Sequence, residues 1–221
     1  MRWLVLLLWV GVTQAADVSG PQHMIELRYL DQDAGDPPYL TRILVTPDFM
    51  RMDDGEDAAD FILLDRQRHR LFNVMRGNNL AMVFTPGMLP PQPAGWKPRL
   101  VAHQAARGTQ RFSLNVNGLT CIEGVAAKGA APDAARAMAE LKSILAATQY
   151  RVWRDSPREM QHDCDLVNQV WDFDATLRLG LPLEERDFRG RVRQFESESN
   201  PLIKPELFRV PIDMRLTDAP S

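Results

Sequence analysis

Between residues 23 and 85 the chain alternates apolar and polar side chains in segments of five to eight residues, each closed by turn formers. A period of two places successive side chains on opposite faces, so this stretch is committed to antiparallel strands with one face turned inward. Ile25, Leu27 and Tyr29 share a face against Glu26 and Arg28. Thr41, Ile43 and Val45 do the same against Arg42 and Thr46, after a Gly35-Asp36-Pro37-Pro38 turn that no strand can run through. Phe49–Asp53 sets Met50 and Met52 against Arg51 and Asp53, Asp54-Gly55-Glu56-Asp57 reads as a solvated turn, and Phe61–Asp65 resumes the sheet. His69–Met75 and Leu80–Thr85 are joined by Arg76-Gly77-Asn78-Asn79, where Gly and Asn tolerate positive φ. Five or six strands therefore follow one another in chain order.

Pro86–Pro98 interrupts this regularity with five prolines and two glycines, a composition that removes ladder donors and demands an extended loop. Met88, Leu89 and Trp96 lie in it, so the segment is either folded over the core edge or a lid or docking element. Phe112, Leu114 and Val116 then alternate toward an Asn117-Gly118 turn, and the next strand carries Cys121. From Pro132 to Thr148 the period changes: Ala134, Ala137, Met138, Leu141, Ile144, Leu145 and Thr148 form one stripe, away from Asp133, Arg136, Glu140 and Ser143. This predicts an amphipathic helix with Pro132 in its first turn and Asp133 near the positive end of its dipole. Tyr150–Trp153 is expected as a strand, Glu159–Asp174 as holding a short helix, and Leu179–Asp187 and Arg191–Ser199 as a hairpin around Arg189-Gly190. A tail tied down by Phe208 ends the chain. The expected class is α+β, a strongly curved antiparallel sheet, an open half-barrel, packed around one main helix, and residues 16–221 form a single domain.

The first fifteen residues have a different character. Arg2 precedes an apolar run, Trp3–Val12, too short to span a bilayer, and Thr13-Gln14-Ala15 offers a small-residue cleavage site. They read as an export signal removed after Ala15, or one residue later after Ala16. Export places the two cysteines, Cys121 and Cys164, in an oxidising compartment, where a disulfide is the expected state. Closing that loop contributes about 4 kcal/mol in the chain-entropy model. A reactive thiol at His162-Asp163-Cys164 is the weaker alternative, because nucleophile and base are normally brought together by the fold. The full chain has 26 basic and 29 acidic side chains and a net charge of −3, one unit more negative once Arg2 is removed. Nucleic acid is thus not an expected partner. No second apolar stretch reaches the roughly 20 residues of a membrane span, so no transmembrane anchor and a soluble mature chain are expected, in the bacterial periplasm.

Several short runs resemble a known group. Thr41-Arg42-Ile43 through Met50-Arg51-Met52-Asp53, then Phe61-Ile62-Leu63-Leu64-Asp65-Arg66 and Arg70-Leu71-Phe72-Asn73-Val74, are similar to exported bacterial proteins of unknown function that share the lipoprotein-carrier-like half-barrel. Gly118-Leu119-Thr120-Cys121, Tyr150-Arg151-Val152-Trp153 and Leu207-Phe208-Arg209-Val210-Pro211 fit the same pattern. The resemblance implies a curved antiparallel sheet opening around helices, whose concave apolar side accepts lipid or acyl chains in some members. Against that pattern this chain has a single clear helix and a long 86–98 loop, and neither Arg42 nor Arg51 can be matched to the carrier's functional arginine.

Signatures of hydrolases, zinc sites, nucleotide loops and dithiol redox motifs are missing, so no catalytic residue, cofactor or metal is expected and the chain reads as non-enzymatic. His23, His69, His103 and His162 are scattered, whereas zinc needs three or four convergent ligands. Asp53, Asp54, Glu56, Asp57 and Asp60 lack the spacing of a calcium loop. Methionine is the more informative residue: Met24, Met50, Met52, Met75, Met82 and Met88 all fall in the first sheet region. Flexible thioethers ordinarily fill an irregular core, and they also suit a wall that adapts to a ligand; copper handling would need them clustered. The resulting expectation is an apolar cavity for a lipid, an acyl chain or a lipidated partner. Its wall would be Met50, Met52, Leu71, Met75, Met82 and Phe84 from the sheet and Met138, Leu141 and Leu145 from the helix. The alternative is an envelope interaction or sensing module that docks a protein through Pro86–Pro98.

Overall fold

The structure is a computed structural model that describes residues 22–219; the expected export signal lies outside them. Among the described residues twelve strands form one sheet. They are β1 (Ile25–Gln32), β2 (Tyr39–Val45), β3 (Phe49–Asp53), β4 (Phe61–Asp65), β5 (Arg70–Met75), β6 (Leu80–Phe84), β7 (Arg99–Gln104), β8 (Thr109–Val116), β9 (Leu119–Ala127), β10 (Leu181–Asp187), β11 (Val192–Ser199) and β12 (Arg215–Asp218). Their order is β12-β6-β5-β4-β3-β2-β1-β11-β10-β9-β8-β7, and all neighbours are antiparallel except β12 with β6. The outermost strands β12 and β7 do not pair, so the sheet is open.

The expected meander holds through β6, with its turns where Asn and Gly stand. Asn79 takes a φ of 48°, and Asn117 and Gly118 take 50° and 83°. Two strands were not expected, β7 and β12, and each is a sheet edge.

Helix α1 spans Pro132–Asp155, about two turns past the expected end, and Tyr150–Trp153 is therefore in its last part and not a strand. The β-favouring Tyr, Val and Trp there are overruled by packing: Tyr150 stacks on Trp153 and lies 6.1 Å from the ring of Trp171. Arg66, after β4, fixes the other end of α1. Its guanidinium donates to both oxygens of Asp133, to both of Glu140, and to the Thr46 carbonyl.

Buried Ala134, Ala137, Met138, Leu141 and Ile144 of α1 meet Leu27, Tyr29, Ile43, Val45, Met50, Leu64 and Leu71 of the sheet in the largest apolar cluster. Both β5 and β10 touch α1. In a flat sheet those strands, six positions apart, would be about 29 Å from each other at the usual spacing. A helix is only about 10–12 Å across, so the sheet bends toward it. The opposite face of β2–β6 is covered by the C-terminal segment, where Leu207 and Phe208 pack with Met24, Leu44, Phe61, Leu63 and Val74.

Beneath this cover Arg51, fully buried, donates from Nε to Asp53 at 2.6 Å and from Nη1 to the Leu207 carbonyl at 3.0 Å. Arg42 makes two bonds to Asp53 and one to Asp57. The 53–57 segment is thus not merely a solvated acidic turn, because two of its carboxylates neutralise inward-facing arginines.

The disulfide is present: Cys121 in β9 is bonded to Cys164, 43 residues on, with Cα atoms 4.9 Å apart. Cys164 lies in the short helix α2 (Asp163–Leu166), which continues as a π-helical turn over Val167–Trp171. The crosslink brackets α1 in sequence and pins α2 to the sheet, where Val167 and Ala175 pack on Leu114 and Val116.

Candidate ligand site

Where α1, the 163–171 segment and strands β2, β3, β10 and β11 converge, a cavity of about 280 Å³ opens on the α1 side of the sheet. One wall is apolar, made of Ile43 and Met50 and Met52 from β2 and β3, Met138 and Leu141 from α1, and Leu177. The other is polar: Lys142, Asn168, Gln169 and Asp165 from the helical side, Glu185 and Asp187 from β10, and Arg189, Arg191 and Arg193 around and along the start of β11. A small volume with an apolar body and a few convergent polar groups is what small-molecule sites have in common.

The local sequence explains each contribution. Alternation in β3 turns Met50 and Met52 toward α1 while Arg51 and Asp53 face the C-terminal cover. Lys142 follows Met138 by four residues, so it stands beside the apolar stripe instead of opposite it. Asp187 accepts from the backbone N–H groups of Arg189 and Arg191 through Oδ1, a side-chain cap on the Arg189-Gly190 turn. The π-helical turn shifts the side-chain direction after Val167 and aims Asn168 and Gln169 at the cavity.

The charges are mostly paired. Arg193 is held by Asp31 through two bonds of 2.8 and 2.7 Å, and Arg191 lies 3.4 Å from the same carboxylate. Thr41 donates a further bond to Asp31. Burial alone would raise the pKa of Asp31, but the bonds and charge of Arg193 outweigh it and hold the carboxyl below its ordinary value. Arg189 pairs with Asp165 at 2.6 Å. Lys142 differs: its Nζ donates to the Phe173 carbonyl at 3.2 Å, and no carboxylate lies within 4 Å among the described residues. Burial pushes the pKa of its amine down.

Asn168 is oriented by a bond from Nδ2 to the Cys121 carbonyl at 3.1 Å. That carbonyl is fixed by the disulfide-bonded residue itself and also accepts from the Phe188 N–H. The remaining Asn168 Oδ1 is buried without a partner among the described residues.

Of the nine residues expected to line a cavity, Met50, Met52, Met138 and Leu141 do so. Leu71 is buried in the core with α1, and Phe84 and Leu145 pack against that core. Met75 and Met82 sit half-buried on the same sheet face, by the register Leu71 to Phe84 and Asn73 to Met82. The methionines do not form one cluster, since Met24 belongs to the C-terminal cover and Met88 is 98% exposed. No group of three or more His, Cys, Asp or Glu able to hold a metal ion occurs among the described residues.

The cationic half of the site was missed. Its sequence signals were Lys142 beside an apolar stripe and the period-two run Arg189, Arg191 and Arg193.

The 86–98 loop packs on Trp171, Asp172 and the second half of α1 and contributes no side chain to the cavity lining described above. Trp96 meets the Trp171 ring edge-on at 4.9 Å and donates to Asp172, while Trp171 donates to the Pro90 carbonyl. Gly87 passes so close to α1 that a Cβ there would come within 2.7 Å of the Ala147 methyl.

No family model and no curated protein matches the chain. Among solved structures it is similar to PNGF-II in a C2 crystal form, at 11% identity and a TM-score of 0.35, and in a P21 form, at 12% and 0.36. Both cover 89% of this chain, which spans about a third of theirs, 31% and 32%. No helix among the described residues is long and apolar enough to cross a membrane.

Proposed function

We propose that this chain is an exported, non-enzymatic binding protein whose half-barrel sheet wraps α1 and takes an acyl chain into the cavity beside it. The observation that carries this reading is the cavity wall of Met50, Met52, Met138, Leu141, Ile43 and Leu177, apolar and continuous with the core yet left unfilled. Three of those residues are methionines, whose thioethers accommodate a chain of variable shape. The disulfide supports an oxidising compartment, and the periplasm is the compartment proposed. At about 280 Å³ the cavity is at the low end of ligand sites, which suits one short or partly inserted chain better than a diacyl lipid.

Displacement of a fluorescent acyl probe from the full chain tests the proposal. Wild type binds the probe, and Leu177→Trp, which fills the cavity, weakens binding by about ten-fold or more. Wild-type protein that ignores the probe, or a Trp variant that is folded and binds undiminished, defeats it.

A further inference from the structure

We infer that the ligand's head is a free carboxylate seated on the Lys142 amine, with its hydrocarbon along the methionine wall; this rests on the acyl-binding reading above. Four cations line the cavity, Lys142, Arg189, Arg191 and Arg193. Each arginine already has a protein carboxylate: Asp165 for Arg189, Asp31 and Asp33 for Arg191, and Asp31 for Arg193. Among the described residues Lys142 has only the Phe173 carbonyl as a hydrogen-bond partner, which uses one of its three donors. A half-buried ammonium with no carboxylate in contact has donors left over, and a ligand carboxylate takes them up as charge-assisted hydrogen bonds. The apolar residues Met138 and Leu141, one turn and one residue before Lys142 on α1, continue the path from head to tail.

The surrounding groups select the head. Glu185 and Asp187 from β10 and Asp165 from α2 line the same cavity; after burial itself, Glu185 and then Asp174 bear on the amine electrostatically, opposed by Arg193 and Arg191. A doubly charged phosphate would meet these acids with one charge unmatched. A neutral ester or alcohol would meet the Lys142 donors without the charge-assisted bond. A single carboxylate answers both constraints, so the ligand class is an unesterified acyl acid, not a glycerolipid or a lipidated protein.

Titration of the full chain with decanoic acid, its methyl ester, decanol and decyl phosphate, followed by calorimetry, reads this out. Decanoate binds at least about ten-fold tighter than the other three. In Lys142→Met the preference for the acid over the ester is lost, and Lys142→Arg keeps it. Equal binding of acid, ester and alcohol by wild type overturns the carboxylate assignment and leaves acyl binding standing. Tighter binding of decyl phosphate also overturns it. Absence of binding by all four overturns both readings. Should Lys142→Met not fold, the ranking of the four compounds on wild type and Lys142→Arg still decides.

Discussion

Asp53 shows how single side chains hold this fold. It is buried, and it accepts from Arg42 twice and from Arg51 once, while Arg51 in turn reaches the Leu207 carbonyl. Removing this carboxylate therefore leaves buried Arg51 with backbone carbonyls alone and Arg42 with Asp57 alone, and it loosens the C-terminal cover. Asp53→Asn is expected to cost about 3–5 kcal/mol, the usual consequence of leaving buried charge unpaired, measured by urea denaturation. Burial would raise the Asp53 pKa, but hydrogen bonds from Arg42 and Arg51 prevail and it lies below the ordinary value. Asp31 is lowered in the same way by Arg193. A depressed carboxyl contributes stability that is complete above its unfolded pKa of about 3.9 and is lost as pH falls through the lower folded value. Unfolding free energy should thus decline below about pH 4, more shallowly in Asp53→Asn than in wild type; equal slopes would contradict the assignment. From sequence, Asp53 read as lying on the strand face opposite Met52 and as one of a group of acids without calcium-loop spacing. Alternation told that it faces away from α1, but not that a distant segment covers that face.

Among elements, α1 and the 163–171 segment are held by different means, and this separates what was legible from what was not. The stripe from Ala134 to Leu145 announced α1, because a period of 3.6 is a local property. Its last part was misread at Tyr150–Trp153, because those side chains are helical only by virtue of packing near Trp171. The edge strands β7 and β12 were unreadable for a related reason. An edge pairs on one side only, and β12 is exposed at every position, so neither needs a marked apolar alternation. The disulfide was legible from compartment alone. Its structural role goes beyond the loop it closes, since the Cys121 carbonyl also orients Asn168 at the cavity. A Cys121→Ser, Cys164→Ser double variant should lose about 4 kcal/mol, seen as a fall in Tm of roughly 8–16 °C at about 2–4 °C per kcal/mol. Its acyl-probe affinity should fall too. Stability unchanged by the substitutions would show that α2 docks on the sheet without the crosslink.

At the scale of the whole molecule, the sheet consists of two meanders joined along one seam. Strands β1–β6 are neighbours in chain order, and so are β7–β11, but β1 pairs with β11 from the opposite end of the chain, Tyr29 lying against Phe195 with their rings 5.6 Å apart. No local pattern could reveal that pairing. It also brings Arg193 to Asp31 and so completes the polar side of the cavity. The topology has a consequence in time. Closing so long a loop costs little extra free energy, about 0.6 kcal/mol per doubling of length, yet it requires a distant search. Each meander can form on its own contacts, while the β1–β11 zipper must await the last quarter of the chain. Refolding should be limited by that zipper: Phe195→Ala slows it, whereas Phe72→Ala in the β5 meander chiefly speeds unfolding, as stopped-flow chevrons would show. Until the zipper closes, β1 presents an unpaired, apolar margin, and a chain delivered from its N-terminus carries that vulnerable margin for nearly the whole of its synthesis.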